Sequence, residues 1–269
     1  MLFRSITPAD LTAWHDYYYK PGAVTLCLAG DFSEADIMAL VTKLFGHWAG
    51  KPNALTPPPA PAPHTGRAVY FAQKDVENAP VHILLPGPAR HDPDYFTYRV
   101  FNDILGGGGL SSRLFNSVRT KMGLAYYAGS SFDYTDNTGV FIVSAGTKNS
   151  TVPDATRELL AQLELMKQAP PSKAELELAK NQLVNLFAMR FETPLQTITE
   201  RAQFEYFGYP DGFLEKYMPG INAVTEADVQ NFARKWLKPE NAVIYIEADE
   251  EKLPGPLTEF GPVTPAPLD

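Results

Sequence analysis

Cysteine is nearly absent from this sequence. Cys27 is the single one, so no disulfide can form within the chain and a disulfide-stapled scaffold is excluded. It lies in the apolar run Val24-Thr25-Leu26-Cys27-Leu28-Ala29 and reads as an inert buried residue rather than a nucleophile. One cysteine does not settle the compartment; a bacterial periplasm or cytoplasm is the expected setting. Long hydrophobic runs are also missing, and none approaches the ~20 residues of a membrane-spanning helix. The opening Met1-Leu2-Phe3-Arg4-Ser5 lacks the apolar core of a signal peptide, and a signal further upstream stays open. Positive charge is in deficit: 23 Lys and Arg face 31 Asp and Glu, a net charge of −8. That balance argues against a nucleic-acid or anionic-membrane surface. Two catalytic signatures are absent as well, a Gly-x-Gly-x-x-Gly between strand and helix and a Gly-x-Ser-x-Gly elbow.

What is present is ordinary globular material, 45% hydrophobic and 20% charged over 269 residues. Length alone allows one large domain, or one domain with part of another. An internal repeat favours the second. Residues 6 to 31 align without gaps with residues 224 to 249, at an offset of 218. Thr7, Ala9, Asp10, Lys20, Pro21 and Asp31 match Thr225, Ala227, Asp228, Lys238, Pro239 and Asp249. Each copy reads as a Thr-capped helix, a Lys-Pro stop and a strand. Two copies of a domain's closing unit lie about one domain length apart. The first copy has almost nothing before it. The expectation is therefore the C-terminal part of a longer two-domain protein, or a truncated relative that needs a partner chain.

The expected organisation is a closing helix–strand–helix unit of a preceding homologous domain over 1–50, then a Pro/Ala linker over 51–66. The main domain spans 67–252 and a Pro-rich surface tail 253–269. Within the main domain the patterning predicts strands over 68–72 and 81–85 and a helix over 93–105. A second helix over 111–122 would set Leu110, Leu114, Val118 and Met122 on one stripe. Antiparallel strands follow over 124–134 and 139–147, then helices over 152–168, 172–191 and 194–207. The fold class is α+β, a two-layer sandwich of a mostly antiparallel sheet with helices packed on one face.

The most informative segment is Gly106-Gly107-Gly108-Gly109-Leu110-Ser111-Ser112-Arg113-Leu114-Phe115, running on to Arg119 and Gly123-Leu124-Ala125-Tyr126. A helix C-cap needs one glycine, not four, so the excess implies that another chain comes close to this backbone. Arg119 and Tyr126 stand seven residues apart across the break at Gly123. On the bare sequence they read as a surface ion-pairing arginine and a half-buried strand tyrosine.

These residues resemble the C-terminal domain of the insulinase/pitrilysin family of zinc peptidases, which includes the mitochondrial processing peptidase. The match covers nearly the whole chain. Further markers are Pro86-Gly87-Pro88, Asp92-Pro93-Asp94-Tyr95 and Asn102-Asp103-Ile104-Leu105 ahead of the glycines. The resemblance implies one half of a clamshell of two homologous halves around a peptide chamber. It places zinc on the other half, in an inverted His-x-x-Glu-His helix. It assigns Arg119 and Tyr126 to the substrate, as donors that hold the peptide backbone and share the charge that builds on its carbonyl oxygen. Tyr126 is chosen over Tyr127 on spacing alone; neighbouring strand residues face opposite sides, so one of the two can point into the chamber.

The chain departs from a working enzyme of that family. A catalytic zinc takes three protein ligands and leaves a position open for water. None of His15, His47, His64, His82 and His91 begins a His-x-x-Glu-His pattern. The expectation is no metal and no catalytic residue in this chain, and inactivity alone. Other groups have plainer readings. Glu247-Asp249-Glu250-Glu251 reads as a solvated strand end, and Glu164, Glu175, Glu177, Glu192 and Glu200 as helix-surface charges. Trp14, Tyr17, Tyr18 and Tyr19 read as packing. The function that follows is the substrate-binding half of a zinc metallopeptidase, with strand addition of peptide to a sheet edge. The alternative is an inactive structural or assembly subunit that kept the fold. Expected partners are a peptide or unfolded substrate and a zinc-bearing homologous domain or subunit, in a dimer or heterodimer, with no nucleic acid and no membrane span.

Overall fold

The computed structural model describes residues 5–54 and 64–267; most of the linker expected over 51–66 lies outside them. The chain forms two compact units, one of Met1–Pro59 with Ala188–Leu214 and one of Ala60–Phe187 with Glu215–Asp269.

The larger unit is built on six strands: β1 (Ala68–Gln73), β2 (Asn78–Gly87), β3 (Ala125–Tyr134), β4 (Gly139–Lys148), β5 (Val243–Ala248) and β6 (Val263–Pro265). Their order across the sheet is β3-β4-β2-β5-β1-β6. The pairings β3–β4, β4–β2 and β2–β5 are antiparallel, and β5–β1 and β1–β6 are parallel. One face is buried because apolar residues alternate in register. Ile83 pairs with Val143 on one side and Ile244 on the other, and all three are buried. Helices α3 (Tyr95–Asn102), α4 (Val152–Gln168) and α8 (Glu226–Trp236) cover that face, so the fold is the two-layer α+β sandwich. Helix α5 (Lys173–Ala188) and the second part of α7 (Phe213–Ala223) also belong to this unit. They meet where Phe187 stacks on Tyr217 with centroids 4.0 Å apart.

Several elements differ from the sequence expectation, each for a local reason. Strand β2 runs ten residues, past Pro80 and Pro86. Strand β5 pairs only with Val81–Leu84, so each proline sits where β2 has one neighbour, and its missing N–H costs no second ladder. The helix expected over 93–105 becomes α3 followed by a π turn over Asp103–Gly107. The one expected over 111–122 is a π-helical segment over Phe115–Lys121. A π turn bonds i to i+5, so an i, i+4 stripe drifts off the core. Leu114 and Val118 are buried, but Leu110 and Met122 are exposed. Helix α7 escaped the sequence reading because Pro219 lies inside it. Residues 253–267, expected as surface tail, bury Leu257 and Phe260 and supply the edge strand β6.

In the smaller unit, α1 (Pro8–Tyr18), α2 (Glu34–Phe45) and α6 (Pro194–Tyr206) are the helices. The two repeat copies cap their helices identically. Thr7 N–H donates to Asp10 at 2.8 Å and Asp10 N–H to Thr7 Oγ1 at 3.3 Å; the Thr225–Asp228 distances are 2.9 and 3.2 Å. Such a box stabilises a helix start by about 1 kcal/mol. After the Lys-Pro turn the copies diverge. The second gives the central strand β5, while 24–29 has no strand partner among the described residues. Cys27, expected to be buried there, is half-buried. Leu11 is 62% exposed and Leu26 50%, whereas their equivalents Val229 and Ile244 are both 0% exposed.

The glycine turn is fixed by its neighbour in the sheet. A Cβ on Gly106 would lie 2.7 Å from the Gly129 carbonyl carbon, closer still to the Ser130 backbone nitrogen. Gly106→Ala should therefore cost about 1–3 kcal/mol by overpacking. Urea denaturation reads this; an unchanged midpoint would show that β3 yields freely.

Candidate functional site

The stretch between the glycine turn and β3 carries the candidate site. Gly108 N–H closes the π turn on the Asp103 carbonyl at 2.9 Å, and Gly109 leaves it with φ of 61°. The near neighbour of Gly106 is this chain's own β3; Ser130 Oγ also donates to Asn102 Oδ1 at 2.8 Å. The segment after the turn is tied to α5. Arg113 donates from Nε and an Nη to the two Glu175 oxygens at 2.6 and 3.0 Å. Burial pushes the Glu175 carboxyl up, but the bonds from Arg113 and Ser172 outweigh it and hold the group at about 2. Glu175 is thus a structural anchor, not only a surface charge.

Arg119 lies in the π-helical segment and Tyr126 at the start of β3. Gly123, with φ of 63°, makes the corner between them. A bulge between Ala125 and Tyr127 gives Tyr126 its own direction. The structure brings the two residues together. The Arg119 guanidinium carbon lies over the Phe115 ring at 4.7 Å and over the Tyr126 ring at 5.5 Å. Among the described residues no carboxylate pairs with Arg119, so the ion-pair reading does not hold. Tyr126 is 75% exposed rather than half-buried. Tyr127 packs its ring across Gly146 of β4 instead. Exposed aromatic and cationic groups held against each other form a contact surface with hydrogen-bond donors at its rim.

The other candidates are scattered. His15 stacks on Tyr19 at 4.9 Å, and His82 lies 6.4 Å from the Tyr245 ring. Burial pulls the His82 pKa down while Glu247 pushes it up, with a net lowering. His47, His64 and His91 are exposed. Among the described residues no three His, Cys, Asp or Glu side chains are grouped to hold a metal. At the acidic strand end Glu247 pairs with Lys74 and Asp249 with Lys252, each at 2.8 Å, while Glu250 and Glu251 are exposed. Glu164 pairs with Lys167 at 3.0 Å and Glu200 with Arg190 at 3.5 Å; Glu177 and Glu192 are exposed. Trp14, Tyr17, Tyr18 and Tyr19 are exposed and pack on one another, with Trp14–Tyr18 and Tyr17–Tyr18 ring centroids each 4.9 Å apart. No helix among the described residues is long and apolar enough to cross a membrane.

Sequence reasoning marked Asn102 without a partner and gave no role to Thr147 or Glu158. Thr147 had a signal: it is the one hydroxyl in the alternation Phe141, Val143, Ala145, Thr147.

Residues 5–183 match the family model described as the peptidase M16 inactive domain. An uncharacterized zinc protease of Bacillus subtilis, YmxG, is 27% identical over 86% of this chain and 55% of its own length. One from Streptomyces coelicolor is 29% identical over 90% of this chain and 54% of its own length. This chain therefore spans about half the length of these relatives. The crystal structure of a peptidase M16 inactive domain from Pseudomonas fluorescens superposes with a TM-score of 0.80 at 25% identity. That match covers 91% of this chain and 57% of the other.

One buried acid sits beneath the glycine turn. Asp103 is 7% exposed; burial pushes its carboxyl up, Arg99 pulls it down, and the balance is about 6. A carboxyl raised in the folded state contributes fully below its ordinary value of 3.8, and that contribution is lost as pH rises through about 6. The span is on the order of 3 kcal/mol. Asp103→Asn should gain stability over the parent between pH 4 and pH 7, read by denaturation at both. A difference that stays constant with pH would assign the titration to another group.

Proposed function

Since the chain belongs to the peptidase M16 inactive-domain family, we propose that it is the non-catalytic, peptide-holding half of a zinc metallopeptidase. The observation that carries this reading is the exposed Arg119–Tyr126 pair, with no carboxylate on the guanidinium among the described residues. Zinc, and the hydrolytic chemistry it supplies, belong to a second, homologous half. That half is either upstream in the same polypeptide or on another subunit.

The chain's own residues do two things. Arg119 and Tyr126 direct N–H and O–H donors at a substrate backbone. They also share the negative charge that develops on the carbonyl oxygen when the peptide bond is attacked. A fixed donor at such an oxygen contributes about 2.7–4 kcal/mol to the transition state, because it needs no reorganisation as the charge forms. The pair therefore acts on turnover more than on ground-state binding.

The smaller unit supports the existence of the second half. Its 24–29 segment and the Leu11 side of α1 repeat the sequence of β5 and α8, yet they lie exposed where the second copy is covered. A partner with the same sheet-and-helix layers supplies the missing neighbours of this segment. Covering a leucine contributes about 1.5–3 kcal/mol, so a row of them is a substantial interface.

Two experiments test these statements. In the assembled protease, Arg119→Ala and Tyr126→Phe should each lower kcat/KM about 10²–10³-fold at an unchanged melting temperature. Full turnover in both variants would remove the assignment and leave the structural-subunit reading. With the two halves produced as separate chains, Leu26→Asp should weaken their association at least about tenfold by calorimetry. Equal affinity would mean that another surface makes the contact.

A further inference from the structure

The Arg119–Tyr126 pair depends on a corner that the chain would not hold by itself. Glycine at 123 allows the turn but does not select it, because a glycine backbone populates many conformations. Short backbone bonds close the corner: Gly123 N–H donates to the Arg119 carbonyl at 3.1 Å and Leu124 N–H to the Val118 carbonyl at 2.9 Å. Two side chains from the core then take hold of it from either side.

The first is Thr147. It lies on the helix-covered face of β4, pairs in register with Ala125 and is 1% exposed. Phe141, Val143 and Ala145 precede it on that face, all buried and apolar. A hydroxyl in such a row is costly unless bonded. The Thr147 hydroxyl donates to the Leu124 carbonyl at 2.5 Å and lies 2.8 Å from the Thr151 hydroxyl. Leu124 is the residue between the corner and the bulge that aims Tyr126. The second is Glu158 of α4, which accepts from Ser117 Oγ and from Gln162 Nε2, the latter at 2.8 Å. Ser117 lies two residues before Arg119 in the π-helical segment. Both anchors stand on elements packed into the core, through Val143 and Ala145 on β4 and Leu159 and Leu163 on α4.

We propose that Thr147 and Glu158 are positioning residues for the Arg119–Tyr126 pair: one fixes the strand side of the Gly123 corner and the other the helical side. Neither touches substrate. The functional part of this inference rests on the reading of the pair as substrate donors. The structural part does not.

The test separates the two. Arg119 lies over two aromatic rings, so its side-chain protons should be shifted upfield in the spectrum of the unaltered chain. Thr147→Val keeps the shape and removes the hydroxyl; Glu158→Gln keeps the length and removes the charge. Each should move the Arg119 shifts toward random-coil values, while Thr147→Ser should restore them. In the assembled protease, Thr147→Val should lower kcat about 10- to 100-fold with KM changed less than twofold, as a small misplacement of a donor does. Unchanged Arg119 shifts in both Thr147→Val and Glu158→Gln would overturn the proposal. Should Thr147→Val unfold the chain, Glu158→Gln and Thr147→Ser decide it on the same shifts. Full turnover in Arg119→Ala would overturn the reading of the site instead, and the proton shifts would then judge the brace alone.

Discussion

The backbone contact between Gly106 and strand β3 is the constraint on which the rest of the site depends. β3 is the edge strand of the sheet, and the π turn lies against it at Gly129 and Ser130. No residue with a Cβ fits at 106 without moving the strand. The contact lets the chain leave α3, cross beside β3, form the π-helical segment and return as β3 itself. Arg119 and Tyr126 then come from consecutive elements that run side by side. Of the four glycines, Gly106 answers to this chain's own sheet, whereas a Cβ at Gly107 or Gly108 would meet Asn102 or Asp103 of the turn itself.

One sequence unit occurs twice in two environments, and that contrast is a natural control. Both copies form the same capping box, turn at the same Lys-Pro and carry apolar residues at the same positions. Only the second becomes a strand with neighbours. Local signals therefore fix the helix start and the turn, while the strand needs partners on either side. β5 has β2 antiparallel on one flank and β1 parallel on the other. A strand has no internal hydrogen bonds, so its sequence can prefer extended backbone but cannot complete it.

The same distinction explains what could be read from the sequence. The alternation in β4, the capped helices and the antiparallel β3–β4 pair follow from local periodicity and turn chemistry, and the structure keeps them. The π turns could not be read, because Leu110, Leu114, Val118 and Met122 satisfy an α-helical stripe; only packing against α4 and β3 selects the wider turn. Strand β6 could not be read because Pro265 and its neighbours carry no strand pattern, and β1 imposes one on them. The Arg119–Tyr126 pair was legible as a spacing. Its geometry was not, since that depends on Thr147, Glu158 and a bulge at Tyr126, all set by residues distant in sequence.

An arginine can be held in place by its edges or by its faces. A carboxylate such as Glu175 takes the N–H edge of Arg113 in a two-pronged bond, and that guanidinium has fewer donors left for anything else. Arg119 is held the other way, over the Phe115 and Tyr126 rings. Ring contact orients the planar group through dispersion and the ring quadrupole and consumes no N–H donor. The two arginines lie six positions apart on one segment and differ in what holds them: Arg113 spends its donors on Glu175, and Arg119 is held by ring contact alone. In a chain of net charge −8, an exposed guanidinium without a carboxylate is a choice of geometry, because acidic partners are plentiful. On the function proposed above, that choice would suit a peptide carbonyl, which is neutral when it arrives and gains charge only as it reacts.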